Sequence, residues 1–128
     1  MYTTGIDMTT VSRIEKSCEK ENFRSFVFSQ EELDLFYNRE KPKFASLAAN
    51  FAAKEAFSKA LGTGVRGFSL NEVSILRNEL GAPYFVFSGK AAQIVAENGY
   101  SPQVSISHEG DLAIAIVLLA KTKILKKL

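Results

Sequence analysis

A carboxylate on an apolar helix, a second carboxylate at a strand end, a lysine and a glycine loop are the groups in this sequence that could do chemistry together. The segment 44–61 (FASLAANFAAKEAFSKAL) lacks Gly and Pro and is rich in Ala and Leu, which predicts a helix. At about 100° per residue, Glu55 falls between Phe44, Phe51 and Ala48 on the helical wheel. Charged side chains are rarely buried unless paired or metal-bound, so Glu55 needs a partner. Asp7, at the end of a short apolar stretch, is the candidate: a pair of carboxylates on rigid elements, without a Cys or His cluster, suits Mg²⁺ better than Zn²⁺. Asp7 also reads as a carboxylate placed before a helix N-terminus. Lys59 lies one turn beyond Glu55. Its ammonium can either pair with Glu55 at i,i+4 or meet a phosphate oxygen. Gly62-Thr63-Gly64 follows at once, and reads both as a helix stop and as backbone that a ligand can approach closely; Arg66 and Gly67 extend the loop and add a cation.

Two further groups stand outside this constellation. His108 is the only histidine and sits at a predicted strand end, where it is either exposed scaffold or part of a site. Arg13, Lys16, Lys20 and Arg24 recur at i, i+3, i+7 and i+11, forming one stripe if their helix persists. Such a stripe is either a solvated face or a docking surface for an acidic protein partner.

The elements that must position these groups fit one domain, residues 1–128, with 46% hydrophobic and 23% charged residues. A net charge of +2 does not argue for nucleic acid, and no run approaches the length of a membrane span. The single cysteine, Cys18, excludes an internal disulfide and falls on the apolar side of its predicted helix, so it reads as core in a reducing, cytoplasmic setting. Residues 2–8 predict a strand. Thr9 or Thr10 caps a helix to about residue 21, and Ser29 with Glu32 forms a capping box for the next helix. After the glycine loop, 72–77 and 84–87 predict a hairpin, 89–98 a helix, and 104–107 and 112–119 two more strands. The order β-α-α-α-β-β-α-β-β predicts an α+β domain, its largely antiparallel sheet packed on the long central helix. The tail from Lys121, with Ile124, Leu125 and Leu128, reads as a frayed or interface-seeking end.

With these motifs in hand, the chain resembles the holo-acyl-carrier-protein synthases, the small single-domain 4′-phosphopantetheinyl transferases. Gly5-Ile6-Asp7 followed by Arg13-Ile14, the run Phe51-Ala52-Ala53-Lys54-Glu55-Ala56 with Lys59-Ala60 and Gly62-Thr63-Gly64, Gly81-Ala82-Pro83-Tyr84, and Val104-Ser105-Ile106-Ser107-His108 carry the resemblance across essentially the whole chain. It implies the fold of that family, a place in cytoplasmic lipid metabolism and fatty acid biosynthesis, and transfer of 4′-phosphopantetheine from coenzyme A to a serine of apo acyl carrier protein, with release of 3′,5′-ADP. It further implies that Asp7 and Glu55 bind Mg²⁺ and that Lys59 lies near the pyrophosphate. Gly62, Thr63 and Gly64 would line the coenzyme A cleft, with Pro83, Ser107 and His108 contributing contacts. Arg13, Lys16, Lys20 and Arg24 would receive the carrier's acidic helix, and the assembly would be a homotrimer with active sites between subunits. The sequence departs from the family pattern at Asn50, where a phosphate-binding arginine is usual, and at Ala82 in place of the usual lysine. Lys41, Lys43 or Lys54 are the cations that would compensate at Asn50.

In this chemistry the carrier serine attacks the β-phosphate, and charge on the phosphate oxygens is met by Lys59 and the bound metal ion. Glu55 and a water on the metal are the two candidates for the base. A Mg²⁺-dependent nucleotide pyrophosphate hydrolase would use the same carboxylates but would not need the basic stripe. A non-catalytic, trimeric coenzyme A-binding module is the other alternative.

Overall fold

The computed structural model describes residues 1–121, so the reading of the basic tail beyond Lys121 lies outside the described residues. The chain runs β1 (Tyr2–Thr10), α1 (Val11–Ser17), α2 (Glu21–Val27), α3 (Gln30–Phe36) and α4 (Phe44–Leu61), then a 3-10 turn (Leu70–Glu72), β2 (Val73–Arg77), β3 (Pro83–Phe87), α5 (Gly89–Glu97), β4 (Tyr100–Glu109) and β5 (Leu112–Lys121). The domain is α+β and every strand pair is antiparallel, but the strands form two sheets: β1-β5-β4 and the hairpin β2-β3.

The single helix expected to run to about residue 21 is two helices. Nothing at 17–20 is a Gly or Pro, so no breaker announces the interruption. Tertiary contacts make it instead. Cys18 turns into the core at 1% exposure, the Glu19 and Lys20 amides donate to the Lys16 and Ser17 carbonyls, and the Arg24 guanidinium donates to the Cys18 carbonyl at 2.6 Å. Burial pushes the Cys18 thiol up to about 11, as expected for an inert core cysteine. At the other end of α1, the Thr10 hydroxyl oxygen accepts the Arg13 amide, and Asp111 of the β4–β5 turn accepts both the Ser12 amide (2.9 Å) and its hydroxyl (2.6 Å). These bonds fix where Arg13 projects.

The long helix lies across one face of the three-stranded sheet. Ala113, Ala115, Val117 and Leu119 alternate inward from β5 and are all buried beneath it. Gly5, paired with Val117 in β1, makes the close approach: a Cβ there would collide with the Ala56 carbonyl oxygen and come within 2.7 Å of the Ala60 amide nitrogen. The helix therefore rests its backbone on β1, which sets the spacing between Asp7, two residues beyond Gly5, and the side chains of α4.

The remaining sides of α4 are covered by α1, α3 and the β2–β3 hairpin. Phe57 is fully buried and packs its ring against Phe68, Phe85 and Phe87 at centroid distances of 5.7, 5.7 and 5.1 Å. Burying one such side chain contributes roughly 1.5–3 kcal/mol. On the same side, a polar network is sealed inside the apolar core. The Lys54 ammonium donates to Glu32 Oε1 at 2.7 Å, and Asn50 Nδ2 donates to Glu32 Oε2 at 2.8 Å. Glu32 also completes the expected capping box with Ser29. All three side chains of the network are fully buried.

Candidate active site

β1 and α4 bring Asp7, Glu55 and Lys59 together on one edge of the helix–sheet interface. The Lys59 ammonium donates to Asp7 Oδ1 at 3.1 Å and to the Ile6 carbonyl at 3.0 Å. Its ion pair thus runs to the strand rather than to Glu55 on its own helix. Asp7 and Lys59 keep side-chain exposures of 20% and 55%, so the pair is open to a ligand. Glu55 is half-buried beside Phe51, as the wheel placed it. Its carboxyl is held above the ordinary carboxylate range, first by burial and then by the Asp7 charge, against the opposing pull of Lys59 and Arg13. With Asp7 close enough to oppose the ionisation of Glu55, the two carboxylates form a site that a cation completes.

Arg13 connects this cluster to its surroundings. Its guanidinium donates to Thr9 Oγ1 at 3.2 Å and stands 5.7 Å from the Phe51 ring centroid. The same residue lines a recess of about 370 Å³ with Lys16, Ser17, Lys20 and Phe23, and the Phe23 ring lies 6.2 Å from Phe51. A basic recess with an aromatic floor therefore adjoins the carboxylates. Phe23 belongs to α2 and was missed in the sequence, because the expected first helix ends at about residue 21 and leaves residue 23 outside any assigned element. Arg24 is corrected off the stripe: with the helix broken, its guanidinium turns back to the Cys18 carbonyl and stacks 4.6 Å from the Tyr37 ring.

On the other flank, α4 ends at Gly62, whose φ of 82° is the left-handed stop that a side chain would resist. Thr63 and Arg66 of the loop form one wall of a second recess, about 320 Å³, shared with Leu61, Ile94, Asn98 and Tyr100.

Two expected cofactor contacts are corrected. Lys54 and Asn50 are fully buried, with Lys54 turned onto Glu32 and the Leu70 and Val73 carbonyls. Asn50 is engaged by Glu32, the Ile75 carbonyl and Arg77, so neither side chain faces the cleft. Of the cations that would compensate at Asn50, Lys43 is exposed at the N-cap of α4, about 18 Å along the helix from Glu55.

Pro83 opens β3 in the second sheet. Ser107 and His108 are exposed on β4, two strands from Asp7 and so about 10 Å across the sheet. They also point to opposite faces: His108 pairs with buried Ala113 on the helix side, and Ser107 with Ile114 on the outer side. Among the described residues, none of Lys43, Pro83, Ser107 and His108 shares a side-chain hydrogen bond or ion pair with Asp7, Glu55 or Lys59.

The outer face of the three-stranded sheet carries Ile6, Met8, Leu112 and Ile116, each 42–56% exposed. A domain with one covered sheet face ordinarily makes its other face polar. Among the described residues, no helix is long and apolar enough to cross a membrane.

The family model described as the 4′-phosphopantetheinyl transferase superfamily matches residues 3–117. The sequence is 40% identical over 117 residues to the holo-acyl-carrier-protein synthase of Fusobacterium nucleatum, covering 90% of this chain and 95% of that protein. The fold is similar to the holo-acyl-carrier-protein synthase of Neisseria meningitidis, with a TM-score of 0.83, 34% identity, and coverage of 93% of this chain and 98% of that one. It is likewise similar to the Helicobacter pylori enzyme of the same name in complex with coenzyme A (TM-score 0.77, 33% identity, 91% and 99% covered). Family model, sequence and fold agree over nearly the whole length: the chain belongs to the 4′-phosphopantetheinyl transferase superfamily.

Proposed function

We propose that this protein is a holo-acyl-carrier-protein synthase, transferring 4′-phosphopantetheine from coenzyme A to a serine of apo acyl carrier protein and releasing 3′,5′-ADP. The observation that carries the reading is the place of Arg13. It acts on Glu55 electrostatically and at the same time lines the basic recess with Lys16 and Lys20, so an acidic helix seated there delivers its serine beside the Asp7–Glu55–Lys59 cluster. Asp7 and Glu55 would hold Mg²⁺, because two opposed, partly open carboxylates are the donor set that ion takes when phosphate and water oxygens supply the rest. The bound ion supplies Lewis-acid neutralisation of the pyrophosphate. Lys59 exchanges its contact with Asp7 for a phosphate oxygen and holds positive charge where the leaving phosphate develops negative charge.

The exposed apolar face of the sheet supports a homotrimer, which would bury Ile6, Met8 and Ile116 and bring residues of one subunit to the cluster of the next. Lys43, Pro83, Ser107 and His108 are then coenzyme A contacts made at that interface. In an assay with coenzyme A, 3′,5′-ADP should form only when apo carrier and Mg²⁺ are both present, and EDTA should stop it. Release without a carrier would instead favour a pyrophosphate hydrolase.

The docking surface has its own test. The double charge reversal Lys16→Glu and Lys20→Glu should raise the carrier KM about tenfold and leave the coenzyme A KM unchanged, because both residues are exposed beside the recess rather than in the carboxylate cluster. Added salt should narrow the gap by screening the wild-type attraction. Unchanged carrier kinetics would exclude this surface as the docking site.

A further inference from the structure

We propose that Lys54 is a positioning residue for the glycine loop, fixing the pose in which residues 62–69 receive coenzyme A; the inference rests on the function proposed above. The loop cannot fix itself. Gly62, Gly64 and Gly67 take positive φ values of 82°, 69° and 82°, and residues 62–67 are exposed. The hydrogen bonds made by their groups are local: the Gly62 amide to the Lys59 carbonyl, the Arg66 amide to the Gly64 carbonyl at 3.0 Å, and the Thr63 hydroxyl to that same carbonyl at 3.2 Å. The pose is therefore set where the loop re-enters the core. Phe68 does part of this by packing on Phe57. The Ser69–Glu72 capping box and the Asn71 side-chain amide on the Ser25 carbonyl hold the turn that follows, and Lys54 ties that turn to α4. The Lys54 ammonium donates to the Leu70 carbonyl at 3.0 Å and to the Val73 carbonyl, while Glu32 Oε1 accepts its third N–H at 2.7 Å.

All three Lys54 donors are thus used, and two of them tie the far side of the loop to the helix that begins it. Glu32 extends the clasp by accepting the Ile75 amide at 3.1 Å, so β2 is held in the same frame. The choice of residue types points the same way. A buried ion pair adds little net stability over well-packed apolar side chains. What Lys54 supplies, and an apolar residue cannot, is direction: two carbonyls held at fixed places relative to α4. Because Lys54 precedes Glu55 in sequence, the same helix turn that carries the carboxylate carries the anchor of the loop.

The test uses the full-length protein with Lys54→Met combined with Glu32→Gln, which removes both charges and leaves the Leu70 and Val73 carbonyls without their donor. The expected result is a split: the coenzyme A KM rises about tenfold through lost preorganisation, while kcat and the carrier KM stay within about twofold. Amide exchange across residues 62–69 should quicken about tenfold, with β1 and β5 unchanged. Val27→Ala, a core substitution in α2, controls for lowered stability and should leave the coenzyme A KM unmoved. A double variant with wild-type KM and wild-type loop exchange overturns the proposal, as does an equal KM rise in Val27→Ala. Should the double variant not fold, Lys54→Arg, which keeps the charge that Glu32 needs but changes the direction of the donors, is read by the same two measurements against the same criteria. If the wild-type protein transfers nothing to any carrier, the functional reading has failed; loop exchange then decides the anchoring role alone, and unchanged exchange overturns it.

Discussion

Glu55→Gln should lower kcat for phosphopantetheine transfer by about 10²–10³-fold, the range seen when one preorganised electrostatic contact to a developing charge is removed. The substitution keeps the shape of the side chain and takes away only its charge. That charge is unfavourable for folding. Burial and the facing Asp7 raise the Glu55 pKa in the folded protein, so below its unfolded value the group contributes stability that is lost as pH rises through the folded pKa. At neutral pH the native carboxylate is a cost, and Gln removes it. The variant should therefore melt at the same temperature as the parent or higher, and its advantage should grow from acid to neutral pH. Loss of activity together with unimpaired stability separates a functional carboxylate from a structural one; a fully active Glu55→Gln protein would sink the metal assignment.

Lys54→Met by itself should destabilise the fold severely, by about 3–5 kcal/mol, because it strands the Glu32 carboxylate in the core. For a chain of this size that corresponds to a fall in Tm of about 10–20 °C. Burial lowers the Lys54 pKa while Glu32 opposes the shift, so the two side chains are stable inside the protein only as a pair. Adding Glu32→Gln to Lys54→Met should then recover most of the loss, since the remaining amide can still serve the Ile75 amide and Asn50 without a charge. Thermal denaturation of the two single variants and the double variant completes the cycle. Additive losses would contradict the pairing.

These two residues are neighbours in sequence, yet only one of them was legible there. Glu55 stood out because a carboxylate on an apolar stripe violates the pattern around it, and Asp7 and Lys59 then supplied a chemical context. The helices and strands were largely legible too, through the uninterrupted 44–61 segment, the Ser29–Glu32 capping box and the turn residues flanking the hairpin.

Lys54 and Asn50 misled, because the resemblance puts a phosphate-binding residue at position 50 and a lysine nearby reads as exposed when the opposite wall is unknown. Their i,i+4 spacing on an otherwise apolar helix was the available signal, but its meaning depends on Glu32, 22 residues before Lys54, arriving from another helix. The break between α1 and α2 was invisible for a similar reason. It is made by Arg24 reaching back to the Cys18 carbonyl and by the burial of Cys18, not by a local breaker. That Ser107 and His108 face opposite ways follows from strand alternation, but which of them faces α4 is fixed only by the pairing with β5.

If Asp7, Glu55 and Lys59 act on coenzyme A while the adjoining basic recess presents the acceptor, the carrier itself must change mass. Intact-mass measurement of an apo acyl carrier protein after incubation with this protein, coenzyme A and Mg²⁺ is the most direct test. The expected result is a gain of one 4′-phosphopantetheine on the carrier, strongly slowed with Glu55→Gln. No gain on any acyl carrier protein tried, or an equal gain with the Glu55→Gln variant, would contradict it.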